Sequence, residues 1–255
     1  LPQHLFGEIV MPGSSRGTLR PEIAAELGID YPVEVIAVGS HDTASAIHAL
    51  PPVKRPGCRR AFLSSGTWSL LGIELDEPVL TEEARNAGFT NEGGVGGKIC
   101  FMQNITGLWI LQRLRAQWEE EGKTIDYGIL IAEAEKSHIS STINVDASEF
   151  QNPDGMEETI AEYCRATGQQ VPVTQGDYML CILQSLANRY KRGIEELNRL
   201  IEKPIEELCI IGGGNQNKLL NRLTEEAIGI PVVSGPVEAT AIGNILVQAE
   251  ALKNA

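Results

Sequence analysis

Positive charge is scarce in this sequence. Only 21 Lys and Arg stand against 34 Asp and Glu, a formal net charge of −13 over 255 residues. Neutralising a nucleic-acid backbone takes clustered Lys and Arg, so no nucleic-acid partner is expected. An anionic ligand would need local compensation from backbone N–H groups, helix N-termini or a metal ion. No apolar run approaches the length of a membrane span and no signal peptide opens the chain, so no membrane partner is expected either. The five cysteines, Cys58, Cys100, Cys164, Cys181 and Cys209, show no CxxC spacing. That fits neither a zinc site nor a secreted disulfide framework. Cys164 and Cys181 flank a turn and could lie close together, but in a cytoplasmic protein they are expected as reduced, buried thiols. A cytoplasmic enzyme or binding protein is the expectation.

What the sequence does contain is enough apolar residue, 42%, to bury a core as one large domain or two small ones. Residues 1 to 31 read as loop plus a short helix, PEIAAELG, with Pro21 in its first turn and Gly28 ending it. VEVIAV, from Val33, reads as a buried strand. AFLSSGTWSLLGIEL, Ala61 to Leu75, reads as a β-hairpin turning at SSGT, and GGVGG precedes a short strand, KICFM. The chain then turns helical. Leu108, Leu111, Leu114 and Trp118 mark one helix. A longer helix, from about Asp177 to Ile201, carries Met179, Ile182, Leu183, Leu186, Tyr190, Ile194, Leu197 and Ile201 on one face. Thr174, three residues before Asp177, reads as its capping box. ELCII then enters GGGNQN and a helix, followed by a short strand, PVV, and a last helix, EATAIGNILVQAEAL. There are no internal repeats. Strands alternating with helices define an α/β class.

Three places could carry chemistry. His41–Asp42 follows a strand end, where open α/β sheets bind ligands, so Asp42 reads as a general base. The plainer alternative makes Asp42 the N-cap of the helix TASAIHAL, and the two roles are compatible. SSGT, Ser64 to Thr67, reads either as a tight turn or as a turn presenting N–H and O–H donors to phosphate oxygens. CIIGGGNQNKLL joins a buried strand through three glycines to a helix start, a geometry suited to close approach of a nucleotide. It is neither GxGxxG nor a Walker A loop. The amides of Asn215, Gln216 and Asn217 could reach a purine or ribose.

In this order, SHDTASAI, FLSSGTWSLLGIE, TNEGG, NITGLWILQRL, IIGGGNQNKLLNRL and GPVEATAIGNI resemble the FGGY carbohydrate kinases, from about Val33 to Gln248. The resemblance is strongest to members acting on L-rhamnulose. It implies an actin-like ATPase lobe (ribonuclease H-like), a mixed sheet flanked by helices. It implies ATP and Mg²⁺ as cofactors and phosphorylation of L-rhamnulose to its 1-phosphate in rhamnose metabolism. Asp42 would be the catalytic base, His41, Thr43 and Asn104 would contact the ketose, and Thr67, Gln112, Gly213 and Asn217 would lie at the nucleotide. No metal-ligating residue is assigned.

The family's phosphate-binding hairpin, DxG[ST], does not occur here. Residues 1–32 resemble only the tail of the amino-terminal domain. Residues 33–255 correspond to the carboxyl-terminal, nucleotide-binding domain, cut short after Ala255. The chain begins at Leu1 rather than Met and is expected to be a fragment, inactive without the amino-terminal lobe of the same protein as partner. The alternatives are a kinase of the same family for L-fuculose or D-xylulose, and a catalytically silent nucleotide-binding module.

Overall fold

The computed structural model describes residues 2–5, 7–123 and 126–253, except for the side chain of Gln3; Leu1 and Ala255 lie outside them. Its centre is a six-stranded sheet in the order β5-β6-β4-β3-β7-β8. The strands are β3 (Arg60–Ser65), β4 (Trp68–Leu75), β5 (Phe89–Gly93), β6 (Ile99–Thr106), β7 (Glu207–Ile211) and β8 (Val232–Ser234). The run β3, β4, β6, β5 is antiparallel, whereas β7 pairs parallel to β3 and β8 parallel to β7. Four antiparallel strands extended by two parallel ones make the expected mixed sheet.

Alternation of side chains assigns the two faces. Ala61 and Leu63 of β3, Leu208 and Ile210 of β7, and Phe101 and Ile105 of β6 enter the main core. That core also takes in α4 (Trp109–Glu120), α5 (Tyr127–Lys136), α6 (Met156–Ala166), α7 (Gln175–Leu200) and α8 (Lys218–Ile228). The intervening residues, Phe62, Cys209, Ile211, Cys100 and Met102, meet the opposite layer, formed by α2 (Asp42–His48) and α9 (Ala239–Lys253). A Cβ at Gly243 would overlap the carbonyl oxygen of Ser45, so glycine is what lets α9 cross α2 this closely.

The long helix is as expected. Met179, Ile182, Leu183, Leu186, Tyr190, Ile194 and Leu197 are all buried along α7. The Thr174 hydroxyl accepts from the Asp177 N–H at 3.1 Å while the Asp177 carboxylate accepts from the Thr174 N–H at 3.0 Å. The hairpin and the strand–GGG–helix unit form as expected, as does the first short helix, α1 (Pro21–Glu26), with Pro at its start. All five cysteines are free; Cys164 on α6 and Cys181 on α7 are both buried.

Other expectations are corrected. VEVIAV is not a buried strand. Only Glu34–Ile36 is extended (β2), paired in a separate two-stranded ribbon with an unforeseen β1, Ser15–Thr18. All four β1 residues are exposed and Val35 is 40% exposed. The run is apolar, but its partner strand is polar and stands apart from the main sheet, so Val33, Ile36, Ala37 and Val38 are only half-buried. KICFM belongs to a strand of eight residues that continues to Thr106, stabilised on its outer side by β5. Additional short helices include α3 (Glu82–Asn86).

Candidate active site

The two glycine-bearing turns meet at one edge of the sheet. Because β3 and β7 are adjacent and parallel, their carboxyl ends deliver the SSGT turn and the GGG turn side by side, at the edge where α/β sheets open for ligands. The contact is close. Gly212 has φ +83°, a region that favours glycine, and a Cβ at Gly214 would overlap the Ser65 hydroxyl. Ser65 Oγ is itself buried without a hydrogen-bond partner among the described residues. Beneath it, the Tyr190 hydroxyl and Ser69 Oγ are hydrogen-bonded at 2.8 Å, and burial pushes the Tyr190 phenol up to about 12. Tyr190, expected only as an apolar position of α7, therefore also braces the hairpin from below.

The SSGT turn starts α4 as well. Its carbonyls at Gly66 and Thr67 accept from the N–H groups of Leu108 at 2.9 Å and Trp109 at 3.1 Å. They satisfy helix-start donors for which no side chain serves as cap. Gly107 allows this, since a Cβ there would come 2.6 Å from the Gly66 carbonyl. One turn into α4, Gln112 Oε1 accepts from the Thr67 hydroxyl at 3.0 Å, and both residues are exposed. Thr67, Gln112 and the exposed Gly213 are thus gathered around the two turns.

Asn217 and Asn215 have other occupations. Asn217 is only 3% exposed. Its Oδ1 caps α8 by accepting from the Leu220 N–H at 3.0 Å, and its Nδ2 donates to the Tyr127 hydroxyl at 3.1 Å. Burial raises the Tyr127 phenol and the Asn217 contact partly offsets it. Asn215 donates from Nδ2 to the Gly235 carbonyl at 2.8 Å and accepts on Oδ1 from Asn221 at 3.1 Å. Of the three amides, Gln216 alone is exposed.

His41–Asp42 lies on the other layer, at the start of α2. The expected N-cap is displaced by one residue. His41 has extended backbone and its Nδ1 accepts from the Thr43 N–H at 3.3 Å, whereas Asp42 is the first helical residue. With Nδ1 accepting in the cap, Nε2 is the ring nitrogen left to donate. The cap also leaves the exposed Asp42 carboxylate free of hydrogen bonds and ion pairs among the described residues. Thr43 is 5% exposed and turned inward. Asn104 is exposed on β6, in register with Leu70 and on the same face as Met102, the face that α2 covers.

The segment Gly235–Thr240 ties the two parts together. Gly212 donates to the Pro236 carbonyl at 3.2 Å, Asn215 to that of Gly235, and the Thr240 hydroxyl to that of Asp42 at 3.4 Å. GPVEAT, conspicuous in the sequence without an assigned role, bridges the GGG turn to the start of α2. Among the described residues, no three His, Cys, Asp or Glu side chains gather as a metal cage. No described helix is long and apolar enough to cross a membrane.

Sheet order, paired turns and the second layer define the fold class, that of a lobe with the actin-like ATPase fold. Solved structures agree at the level of the fold. The chain superposes on gluconate kinase from Lactobacillus acidophilus with a TM-score of 0.69 at 12% identity, covering 97% of this chain and 49% of that one. On Plasmodium falciparum glycerol kinase with ADP the TM-score is 0.64 at 13% identity, covering 96% and 47%. The family follows from sequence. The family model for the carboxyl-terminal domain of FGGY carbohydrate kinases matches residues 61–252, and the chain belongs to the FGGY family of carbohydrate kinases. It is 49% identical to a rhamnulokinase of Bacteroides thetaiotaomicron, over 98% of this chain and 50% of the relative. It is 40% identical to one of Bacillus subtilis, over 97% and 50%. The chain spans about half the length of the curated relatives it matches.

Proposed function

We propose that the full-length protein transfers the terminal phosphoryl group of ATP to the 1-hydroxyl of L-rhamnulose, a step of rhamnose catabolism. Residues 33–255 would form the nucleotide-binding domain, and residues 1–32 the end of an amino-terminal domain that closes over it. The observation that supports this reading is the bridge from the GGG turn, itself packed on the SSGT turn, through Gly235–Thr240 to the backbone carbonyl of Asp42, whose carboxylate has no partner among the described residues. Phosphoryl transfer asks for little covalent help from a protein: it needs positioning, and charge stabilisation on the moving group. The SSGT and GGG turns, with Thr67, Gln112 and Gly213, are suited to the nucleotide's phosphates. His41 through Nε2–H, and Asn104 through its amide, are suited to ketose oxygens. Thr43 would act from behind, its N–H holding the His41 ring, and Asn217 by capping α8 beside the GGG turn.

A carboxylate is too weak a base to ionise a sugar hydroxyl in advance. In a loose transition state it need only orient the hydroxyl and take its proton late. The bond from phosphorus to the bridging oxygen of ADP breaks, the bond to the sugar O1 forms, and the O1 proton passes to Asp42. Mg²⁺ would arrive on the nucleotide's phosphates, since among the described residues no three His, Cys, Asp or Glu side chains gather to hold it.

The test is to supply the full-length enzyme with Mg·ATP and a panel of ketoses, measuring ADP release and locating the phosphate by NMR. L-rhamnulose 1-phosphate as the preferred product supports the reading. Preference for L-fuculose or D-xylulose replaces the substrate, and no transfer to any ketose overturns the kinase reading.

A further inference from the structure

TNEGG is the motif of the resemblance left without a role above. It forms β5, the edge strand, with Thr90 paired to Met102 and Glu92 to Cys100. Thr90 and Glu92 therefore project from the same face as Met102 and Asn104, the face that α2 covers, and Asn104 follows Met102 by two residues, about 7 Å along the strand. Glu92 Oε2 stands 3.7 Å from His41 Nδ1. The Thr90 hydroxyl stands 3.3 Å from both Glu92 Oε1 and the Met102 carbonyl, and its one proton is shared between these two acceptors. His41 Nδ1 is already committed as an acceptor to the Thr43 N–H, so while it caps α2 it offers Glu92 no proton. Glu92 Oε2 is left, on a side chain only 34% exposed, without a hydrogen-bond donor among the described residues. A partly desolvated carboxylate oxygen with a free lone pair is a strong acceptor for a ligand hydroxyl.

We infer that Glu92 is a specificity-determining residue for the ketose: it accepts a hydrogen bond from a sugar hydroxyl beyond the reacting one, which meets Asp42. The inference rests on the ketose-kinase reading and adds to it the edge strand as part of the sugar site. Glu92 touches neither the nucleotide turns nor the proton in flight, so its loss weakens ketose recognition alone.

The test uses the full-length kinase as wild type, Glu92→Ala and Glu92→Gln, with steady-state kinetics for the preferred ketose and for ATP. For Glu92→Ala the ketose KM is expected to rise roughly 10- to 100-fold, the loss of one hydrogen bond to a charged group. The ATP KM should stay within about twofold, since nothing at the nucleotide turns is changed. Glu92→Gln keeps a neutral acceptor of the same shape and is expected to raise the ketose KM by only about 3- to 10-fold. If Glu92→Ala fails to fold, Glu92→Gln decides. An unchanged ketose KM in the folded variants, or an ATP KM that rises with it, overturns the proposal and leaves the kinase reading standing. A wild type that prefers another ketose overturns only the substrate, and Glu92 is then judged on that sugar's KM. A wild type that phosphorylates no ketose overturns both.

Discussion

The two ends of the candidate site are built differently. At the proposed nucleotide end several polar groups are engaged within the chain and the turns are closely packed. Gly66 and Thr67 carbonyls start α4, Asn217 caps α8, Asn215 holds Gly235, and Ser65 is pressed between Tyr190's neighbourhood and Gly214. At the proposed sugar end, Asp42 and Asn104 are exposed, and ties such as the His41 cap, the Ser45–Gly39 bond, the Thr90–Glu92 bond and the bond from Thr240 hold the backbone and neighbours around them. The first end is preorganised by close packing between turns on adjacent strands. The second offers free donors and acceptors on a scaffold fixed from behind. Such a division would suit the proposed kinase, in which phosphate charge would be met by rigid dipoles and the ketose by side chains still able to pair with it.

Substitutions at the two ends should separate accordingly. The largest effect is expected for Asp42→Asn in the full-length enzyme. Its kcat should fall by about 10²- to 10⁴-fold, the scale of a lost general base, while ATP affinity by calorimetry is unchanged. Next comes packing. Gly214→Ala forces a methyl into Ser65 and should cost about 1–3 kcal/mol of stability in a urea melt, whereas Asn104→Ala should stay within about 0.5 kcal/mol. Equal costs at the two positions would erase the contrast between rigid and open ends. Thr67→Ala should then raise the ATP KM by roughly 10-fold, one charge-assisted hydrogen bond, and leave the ketose KM alone. Smallest is Asn217→Ala, losing about 1 kcal/mol by urea melt as a helix cap does. A larger loss of ATP affinity than of stability would return Asn217 to the nucleotide.

Much of this was legible in the sequence because it rests on local rules. The hairpin shows in two apolar runs around SSGT, the long helix in its spacing and its Thr174–Asp177 box, and the nucleotide end in three glycines after ELCII. What the sequence hid depends on distant partners. VEVIAV is apolar and looks buried, but its exposure follows from pairing with the polar SRGT. The amides of Asn215 and Asn217 look available to a ligand, yet Gly235 and Tyr127, 20 and 90 residues away, occupy them. His41 is an uncommon cap, and beside an Asp the local preference points to the wrong residue. Glu92 was hidden in the same way. Five residues rich in Gly and Asn do not read as a strand, and the β6 register alone brings this carboxylate to His41.

The division between the two ends is tested most directly by amide hydrogen exchange on the full-length kinase, with a non-hydrolysable ATP analogue alone and with L-rhamnulose alone. The analogue is predicted to protect residues 64–67 and 212–217 and to leave 39–43, 90–93 and 104 unchanged, with the ketose producing the reverse pattern. Protection of 39–43 and 90–93 by the nucleotide analogue, with no protection at either glycine-bearing turn, would contradict the account.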